Sequence, residues 1–298
     1  MTCFHPLSAY RTAGGDIIFN GNKRGLNITE ALQLPCGQCV GCRLERSRQW
    51  AMRCMHESQL HKENTFITLT YAPEHLPPGG TLVLKHFQKF MKRLRKKFGP
   101  NIRFYHCGEY GETTGRPHYH AILFGIDFSD KKHFTTRNGF PVYRSETLKV
   151  LWPYGNHEIG SVTFESAAYV ARYIMKKING KNADQHYQTI DPTTGEIHQR
   201  KPEYTTMSRR PGIASGWFER YTSDVYPHDR VVIRGRQMRP PKFYDNKFEL
   251  LDPAGYEEIK YNRHKNSQIH LDNQTKSRLN VRETVQILAL KQLPRNLD

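Results

Sequence analysis

The 298-residue chain contains no run of about 18 apolar residues, so the sequence predicts no membrane-spanning helix. Its opening, Met1-Thr-Cys-Phe-His-Pro6, lacks the basic-then-apolar layout of a secretory signal, and an intracellular protein is expected. There is no Gly-x-x-x-x-Gly-Lys-Ser/Thr phosphate loop, no helicase motif and no internal repeat. The absence of His-Glu-x-x-His disfavours a zinc protease. Acidic residues are scarce beside basic ones, 28 against 45, which leaves a formal charge of +17. Such an excess suits a polyanionic partner, because each neutralised phosphate releases a condensed counterion. Charge alone is also met in proteins that are merely soluble, and it says nothing about chemistry.

What is present argues for a folded chain. Sixteen Tyr, 15 Phe and a 37% apolar content supply a core for one large domain or two modest ones. Six cysteines stand at 3, 36, 39, 42, 54 and 107. In a reducing compartment disulfides are not expected. Cys36-Gly-Gln-Cys39-Val-Gly-Cys42 has metal-ligand spacing, since two-residue gaps let thiolates converge on one tetrahedral ion. One structural Zn²⁺ would need a fourth ligand, from Cys3 or His5. The alternative is a set of buried thiols that tighten a turn before a helix. Cys54 and Cys107 read as core residues.

Residues 1–35 read as irregular, with Gly14-Gly15 and Gly21 as turn signals. A helix is expected from Cys42 to about Leu60, and a strand over Thr65–Tyr71. Leu84, Phe87, Met91, Leu94 and Phe98 recur at three- and four-residue steps, which predicts an amphipathic helix over 84–98 with a lysine- and arginine-rich outer side. Ile102–Gly108 and His118–Phe124 predict two strands of a hairpin. A loop is expected from there to about Gly155, then a short strand over Gly160–Thr163 and a helix from Phe164 to Ile178 ended by Asn179-Gly180. Residues 180–210 read as polar turns. Val231–Ile233 suggests a further strand, flanked by Arg230, Arg234, Arg236 and Arg239, and the polar tail suggests one helix near Val281–Leu293.

Two constellations carry chemistry. Side chains alternate along a strand, so His118 and His120 of His118-Tyr-His120 point the same way. In a hairpin, Glu109 at the end of the preceding strand can sit beside them. One carboxylate and two imidazoles suit a divalent ion such as Mg²⁺ or Mn²⁺ with open positions for phosphate oxygens. A lone His-x-His is more often structural; the nearby carboxylate and the basic charge favour the metal. In Tyr169-Val-Ala-Arg-Tyr173 the tyrosines stand four residues apart on one helix face, with Lys176 and Lys177 on the same side. Paired tyrosines at this spacing are more often packing residues. Beside a metal or a lysine, however, a phenolate becomes accessible and can attack a phosphodiester, giving a 5′-phosphotyrosine and a free 3′-hydroxyl.

Together, Glu109 in Gly-Glu-Tyr-Gly, Arg116-Pro-His-Tyr-His120, Tyr169-Val-Ala-Arg-Tyr173 and the strand Phe66-Ile-Thr-Leu-Thr-Tyr71 resemble the HUH endonucleases of rolling-circle replication. The resemblance is strongest to replication initiators of microviruses, the gokushovirus type of single-stranded DNA phage. It extends to Pro35–Arg43 with Trp50 and Arg53, and to Met207–Gly212. It covers about residues 1–220. It implies an α+β HUH-endonuclease fold, a central antiparallel sheet of about five strands flanked by helices, ferredoxin- or RRM-like. It implies an N-terminal Cys-rich segment and helix over 1–60, a catalytic domain over 61–220 and a basic extension over 221–298. It further implies that Glu109, His118 and His120 hold Mg²⁺ or Mn²⁺, and that Tyr169 and Tyr173 are alternating nucleophiles. Lys176 and Lys177 would help hold the phosphate.

The implied activity is origin nicking of single-stranded and supercoiled DNA and later strand rejoining, in the host bacterial cytoplasm, with a host helicase and DNA polymerase as partners and no membrane. Arg230, Arg234, Arg236 and Arg239 are candidates for duplex contact. A plasmid-type initiator, a relaxase or a single-strand transposase shares the chemistry. A non-catalytic RRM-like nucleic-acid-binding module is the competing reading from another class.

Overall fold

The computed structural model of the protein describes residues 3–19, 27–111, 114–172, 183–191 and 194–292. The chain divides into two units. One is formed by Met1–Arg46 with Glu249–Asn296, the other by Ser47–Phe248. The stretch expected to be irregular folds as a small antiparallel sheet of β1 (Leu7–Thr12), β2 (Ile17–Ile18) and β3 (Ile28–Leu34), in the order β2-β1-β3. Its strands bury little beyond Ala9, so they carry no apolar alternation to betray them. The helix α1 (Val40–Ser58) follows, and Ala51, Met52 and Cys54 on it are fully buried.

In the larger unit, β4 (Asn64–Thr70) alternates strictly, with Thr65, Ile67 and Leu69 buried. Helix α2 (Leu84–Phe98) has the bounds its spacing predicts and buries Phe87, Phe90, Met91 and Leu94. Strands β5 (Arg103–Tyr110) and β6 (Pro117–Phe124) form the expected hairpin pairing. The stretch expected to be a loop instead holds a second hairpin, β7 (Lys132–Arg137) and β8 (Phe140–Arg144), and a short helix, α3 (Glu146–Leu151). Asn138 and Gly139 turn it with positive φ of 50° and 81°. Asn-Gly with two positive φ values is the favoured two-residue hairpin turn, so the signal was present in a strand pair too polar to read. Ser145 caps α3, its Oγ accepting from the Leu148 amide at 3.1 Å.

The short strand expected over Gly160–Thr163 lies three residues earlier, as β9 (His157–Gly160). Helix α4 (Phe164–Arg172) begins where expected; its expected continuation to Ile178 lies outside the described residues. The region read as polar turns holds α5 (Ala183–His186), a hairpin of β10 (Gln188–Ile190) and β11 (Ile197–Gln199), and β12 (Tyr204–Met207). After α6 (Ser215–Val225), the expected strand at Val231 is β13 (Val231–Ile233), which pairs with β14 (Arg236–Met238). The tail carries three helices rather than one: α7 (Lys242–Leu251), α8 (Pro253–Gln268) and α9 (Lys276–Gln292).

The main sheet has seven strands where about five were expected, in the order β12-β5-β6-β4-β9-β8-β7, every pair antiparallel. One face is apolar. Ile67, Leu69, Tyr119, Ala121, Leu123 and Ile159 pack there with the buried residues of α2 and with Leu148 and Leu151 of α3. Against the other face lies α4, in contact with β5 and β6.

Several imidazoles are enclosed in this unit as neutral groups. His56 stacks on Trp217 at 3.5 Å between ring centres and bonds the Tyr244 hydroxyl through Nδ1 at 2.7 Å. Burial pushes it down to about 3. Burial also holds His106 well below the ordinary imidazole range and lowers His86 and His157. Below about pH 6.5 the unfolded chain takes up protons that the folded chain refuses, so stability falls as pH falls. For His56 alone this amounts to roughly 2 kcal/mol by pH 5. Urea unfolding compared at about pH 7.5 and about pH 5 should show a clearly lower midpoint at the acidic value, above the range where carboxylates titrate. Equal midpoints would contradict neutral burial of these rings.

Candidate active site

The register of β5 on β6 decides which side chains meet. Glu109 is opposite His118 and Cys107 is opposite His120, while β4 sets Thr68 opposite His120 and Thr70 opposite His118. Because side chains alternate, Glu109, His118, His120 and Thr68 all project from the face that α4 covers. Nε2 of His120 lies 2.9 Å from Oε1 of Glu109, and both side chains are almost fully buried. On its other side Nδ1 of His120 lies 3.0 Å from Thr68 Oγ1. Phe66 stacks nearly parallel to the ring, 6.0 Å between centres.

His118 is partly exposed, its ring centre 6.3 Å from that of His120. Gly111 makes room for it: a Cβ at position 111 would fall 2.7 Å from His118 Cε1 and push the imidazole away. The carboxylate and both imidazoles thus share one face, as the sequence predicts, whereas Thr68 and Phe66 are additions to the predicted set. Their signal is the period-two alternation of β4, which aligns positions 66, 68 and 70 with the histidines once the register is known.

The donor set fits a divalent ion. When Nδ1–H of His120 donates to Thr68, Nε2 presents a lone pair toward a carboxylate oxygen. Two acceptors at 2.9 Å repel unless a proton or a metal cation lies between them. Imidazole and carboxylate are ligands for Mg²⁺- and Mn²⁺-type ions. Closing His118 on the same ion takes a rotation of its half-exposed side chain. Among the described residues, the only set of three or more such ligands whose donor atoms all lie within 4.8 Å of one another is the cysteine cluster.

From α4, Tyr169 sets its ring edge-on to His120, 5.3 Å between centres and at 85°. It is only 8% exposed, so it faces the imidazole with little water around it. One turn on, burial lowers the Arg172 guanidinium, and the negative charge of the Tyr169 phenolate opposes that shift. Arg172 is thus a cation poised to favour the ionised phenol, a role the sequence motifs do not assign. Tyr173, Lys176 and Lys177 lie outside the described residues.

Cys3, Cys36, Cys39 and Cys42 gather their sulfurs in one cluster, while His5 turns to Glu283, with 2.6 Å between Nε2 and Oε2. Arg230, Arg234, Arg236 and Arg239 lie on and beside the β13–β14 hairpin, with Arg234 and Arg236 exposed. Arg234 grips both carboxylate oxygens of Glu165 in the first turn of α4, the second at 2.9 Å, which ties the basic hairpin to the helix that carries Tyr169. A cleft of about 650 Å³, lined by Arg95, Arg103, Arg209 and Arg210 among others, opens beside the start of β5. Arg103 is committed to Glu57 there, whereas Arg209 and Arg210 are exposed.

A family model for the replication-associated protein ORF2 matches residues 64–178, the stretch that holds β4, β5, β6 and α4. The chain is 35% identical over 269 residues to "Replication-associated protein VP4" of Bdellovibrio phage phiMH2K, covering 87% of this chain and 80% of that protein. It is 32% identical over 272 residues to "Replication-associated protein ORF2" of Spiroplasma virus 4, with 84% and 81% covered. The chain belongs to the family of phage replication-associated proteins, of microvirus type. "Replication-associated protein ORF4" of Chlamydia phage 1 is 30% identical over 220 residues, covering 71% of this chain and 52% of that protein. No solved structure matches this replication-associated protein. None of its described helices is long and apolar enough to cross a membrane.

In the replication-associated protein, Thr68→Val keeps the shape of β4 but removes the oxygen that orients His120. Loss of such an outer contact typically weakens a metal about 10–100-fold. A drop of that size in Mn²⁺ affinity is expected by titration calorimetry, with an unchanged unfolding midpoint. Unchanged affinity would show that Thr68 does not orient a ligand.

Proposed function

We propose that this replication-associated protein is an HUH-type nickase and strand transferase that opens the plus-strand origin of its phage in the host bacterial cytoplasm. The observation that supports this reading most is the meeting of three groups at one point of the sheet. They are the buried Glu109–His120 pair, His118 on the same face and the Tyr169 ring edge-on to His120. Glu109, His118 and His120 would hold Mg²⁺ or Mn²⁺, which when bound supplies Lewis acidity toward the scissile phosphate. Tyr169 gives up its phenolic proton, and Arg172 one turn away favours the resulting charge.

The phenolate oxygen attacks phosphorus in line. The Oη–P bond forms, the P–O3′ bond breaks, and the departing 3′ oxygen takes up a proton. The 5′ end stays on the protein as a phosphotyrosine, while the 3′-hydroxyl primes a host DNA polymerase behind a host helicase. Tyr173 would cut the regenerated origin after one circuit, and the freed 3′-hydroxyl would attack the first phosphotyrosine to close a circle. Lys176 and Lys177 would neutralise the phosphate. The arginines 230, 234, 236 and 239 would carry backbone phosphates toward α4, to which Arg234 is already tied.

A purely binding RRM-like module leaves its sheet face open so that bases can stack on aromatic rings. Here α4 lies over β5 and β6, and the face beneath it holds an acid–imidazole pair. That arrangement favours the catalytic reading. Incubating the protein with Mn²⁺ and single-stranded oligonucleotides tiled across its phage origin should yield a covalent adduct on a tyrosine peptide by mass spectrometry. A chelator should abolish it. Tyr169→Phe combined with Tyr173→Phe should yield none, and an adduct that persists in the double variant refutes the assignment.

A further inference from the structure

The cysteine cluster lies outside the nicking site and asks for its own explanation. Cys3 comes from the segment before β1, Cys36 and Cys39 from the turn before α1, and Cys42 from the first turn of that helix. Their four sulfurs all lie within 4.8 Å of one another, and Cys39 and Cys3 stand 3.9 Å apart. A tetrahedral zinc–thiolate site with Zn–S bonds of about 2.3 Å sets its sulfurs about 3.8 Å apart. All four are free thiols.

The backbone around the cluster is arranged for anionic sulfur. Amides of Gln38 and Cys39 donate to Cys36 Sγ at 3.5 and 3.3 Å, which wraps the chain around one sulfur. The amide of Phe4 donates to Cys39 Sγ at 3.4 Å, and that of Cys36 donates to Cys3 Sγ at 3.3 Å. Gly37 takes a φ of +74°, the left-handed conformation that lets this turn close tightly after the first cysteine. Apolar Phe4 and Leu279 are buried against the cluster, with Val40 beside it. Four apolar-packed thiols with four aimed amides are poor packing for neutral SH groups. They suit thiolates around a cation. Two-residue cysteine spacing with a remote fourth sulfur fits Zn²⁺, which accepts four soft ligands at a closed tetrahedral site.

We propose that Cys3, Cys36, Cys39 and Cys42 bind one structural Zn²⁺ that staples the smaller unit, joining its N-terminal segment to the turn before α1 beside α9. Binding deprotonates the thiols: four S–Zn bonds form and the released protons go to solvent. No oxidation is involved. The site is closed, with every coordination position filled by sulfur, so it has no catalytic opening. The small unit needs such a staple. Its sheet buries little beyond Ala9, and α9 buries only Leu279 among its described residues. Cores of that size commonly rely on a metal for part of their folding energy.

The full-length protein, purified under reducing conditions without added metal, should carry about one zinc per chain by elemental analysis. Exchange with Co²⁺ should give the charge-transfer and d–d bands of tetrahedral cobalt thiolate. Cys36→Ser and Cys39→Ser should each lose the zinc. Cys54→Ala, which alters a buried thiol elsewhere on α1, should keep it. In hydrogen exchange on the intact chain, stripping the zinc should deprotect amides of β1, β3 and α9 and leave β4, β5 and β6 protected. A chain that lacks zinc, gives no thiolate bands on Co²⁺ titration and still protects β1 and β3 overturns the proposal. So does a zinc that survives in the Cys36→Ser, Cys39→Ser double variant. Neither readout depends on nicking, so the staple and the nickase reading stand or fall separately.

Discussion

The contact between Glu109 and His120 is the constraint on which the rest of the site depends. A carboxylate and an imidazole, both almost free of solvent, stand 2.9 Å apart in the middle of a seven-stranded sheet. Each is costly to bury alone and tolerable only with the other, or with a cation between them. The pair exists because β5 and β6 meet in one register. A slip of one residue would send His118 and His120 through to the face occupied by Tyr119 and Leu123. That face is filled by Phe87, Phe90, Met91 and Leu94 of α2, so the slip would bury polar rings in hydrocarbon while exposing the apolar set. The apolar side of the sheet thus holds the polar side in alignment.

This coupling explains what could be read from the sequence. His-x-His in an apolar strand after a Glu-ended strand names three groups of the site without a structure, since period-two alternation and a hairpin suffice. The amphipathic spacing of 84–98 names the helix that backs the sheet. Thr68 is less legible because its role depends on which neighbour β4 pairs with, and pairing is a long-range fact. The hairpin of β7 and β8 is hidden for another reason. His133, Thr135 and Arg137 interrupt any apolar pattern, and Phe134 and Phe140 are exposed, so only Asn138-Gly139 marks it. The small sheet of β1 to β3 is silent because strands that bury almost nothing obey no hydrophobic period. In the tail, polarity masks order: α8 is a polar helix started by Asp252 capping Gly255 and by Pro253 in its first turn.

Charge organises the second level. The excess of 17 positive charges is not spread evenly over the chemistry. Near the sheet centre the charged groups are few and enclosed: Glu109 with His120, and Arg172 half-buried beside Tyr169. Arginines gather at the β13–β14 hairpin, and Arg209 and Arg210 stand exposed at a cleft near the start of β5. Solvent-screened cations suit a polyanion's backbone and its salt-dependent, sequence-blind attraction. Enclosed charges act at short range in low dielectric, where a single ion or proton changes the balance. The ion pair from Arg234 to Glu165 joins the two levels, because it ties the outer basic hairpin to the first turn of the helix that bears the phenol.

The proposed chemistry needs little more than this. A phenol that takes over a phosphodiester keeps the bond's energy in an ester of similar kind, so strand closure requires no nucleotide, and the chain has no phosphate loop to bind one. Strand separation is left to partners, which agrees with the missing helicase motif. The protein must then supply position: a sheet that fixes the ligands, a helix laid across them that fixes the nucleophile, and cations that draw the strand in. A rigid sheet is the natural carrier for the first task, because its register is set by a packed core on the opposite face. A helix serves the second, since a four-residue step returns a side chain to the same face and lets one element offer two phenols to one place. Tyr169 stands where the first of those phenols must stand, edge-on to the imidazole that Thr68 and Glu109 hold in line.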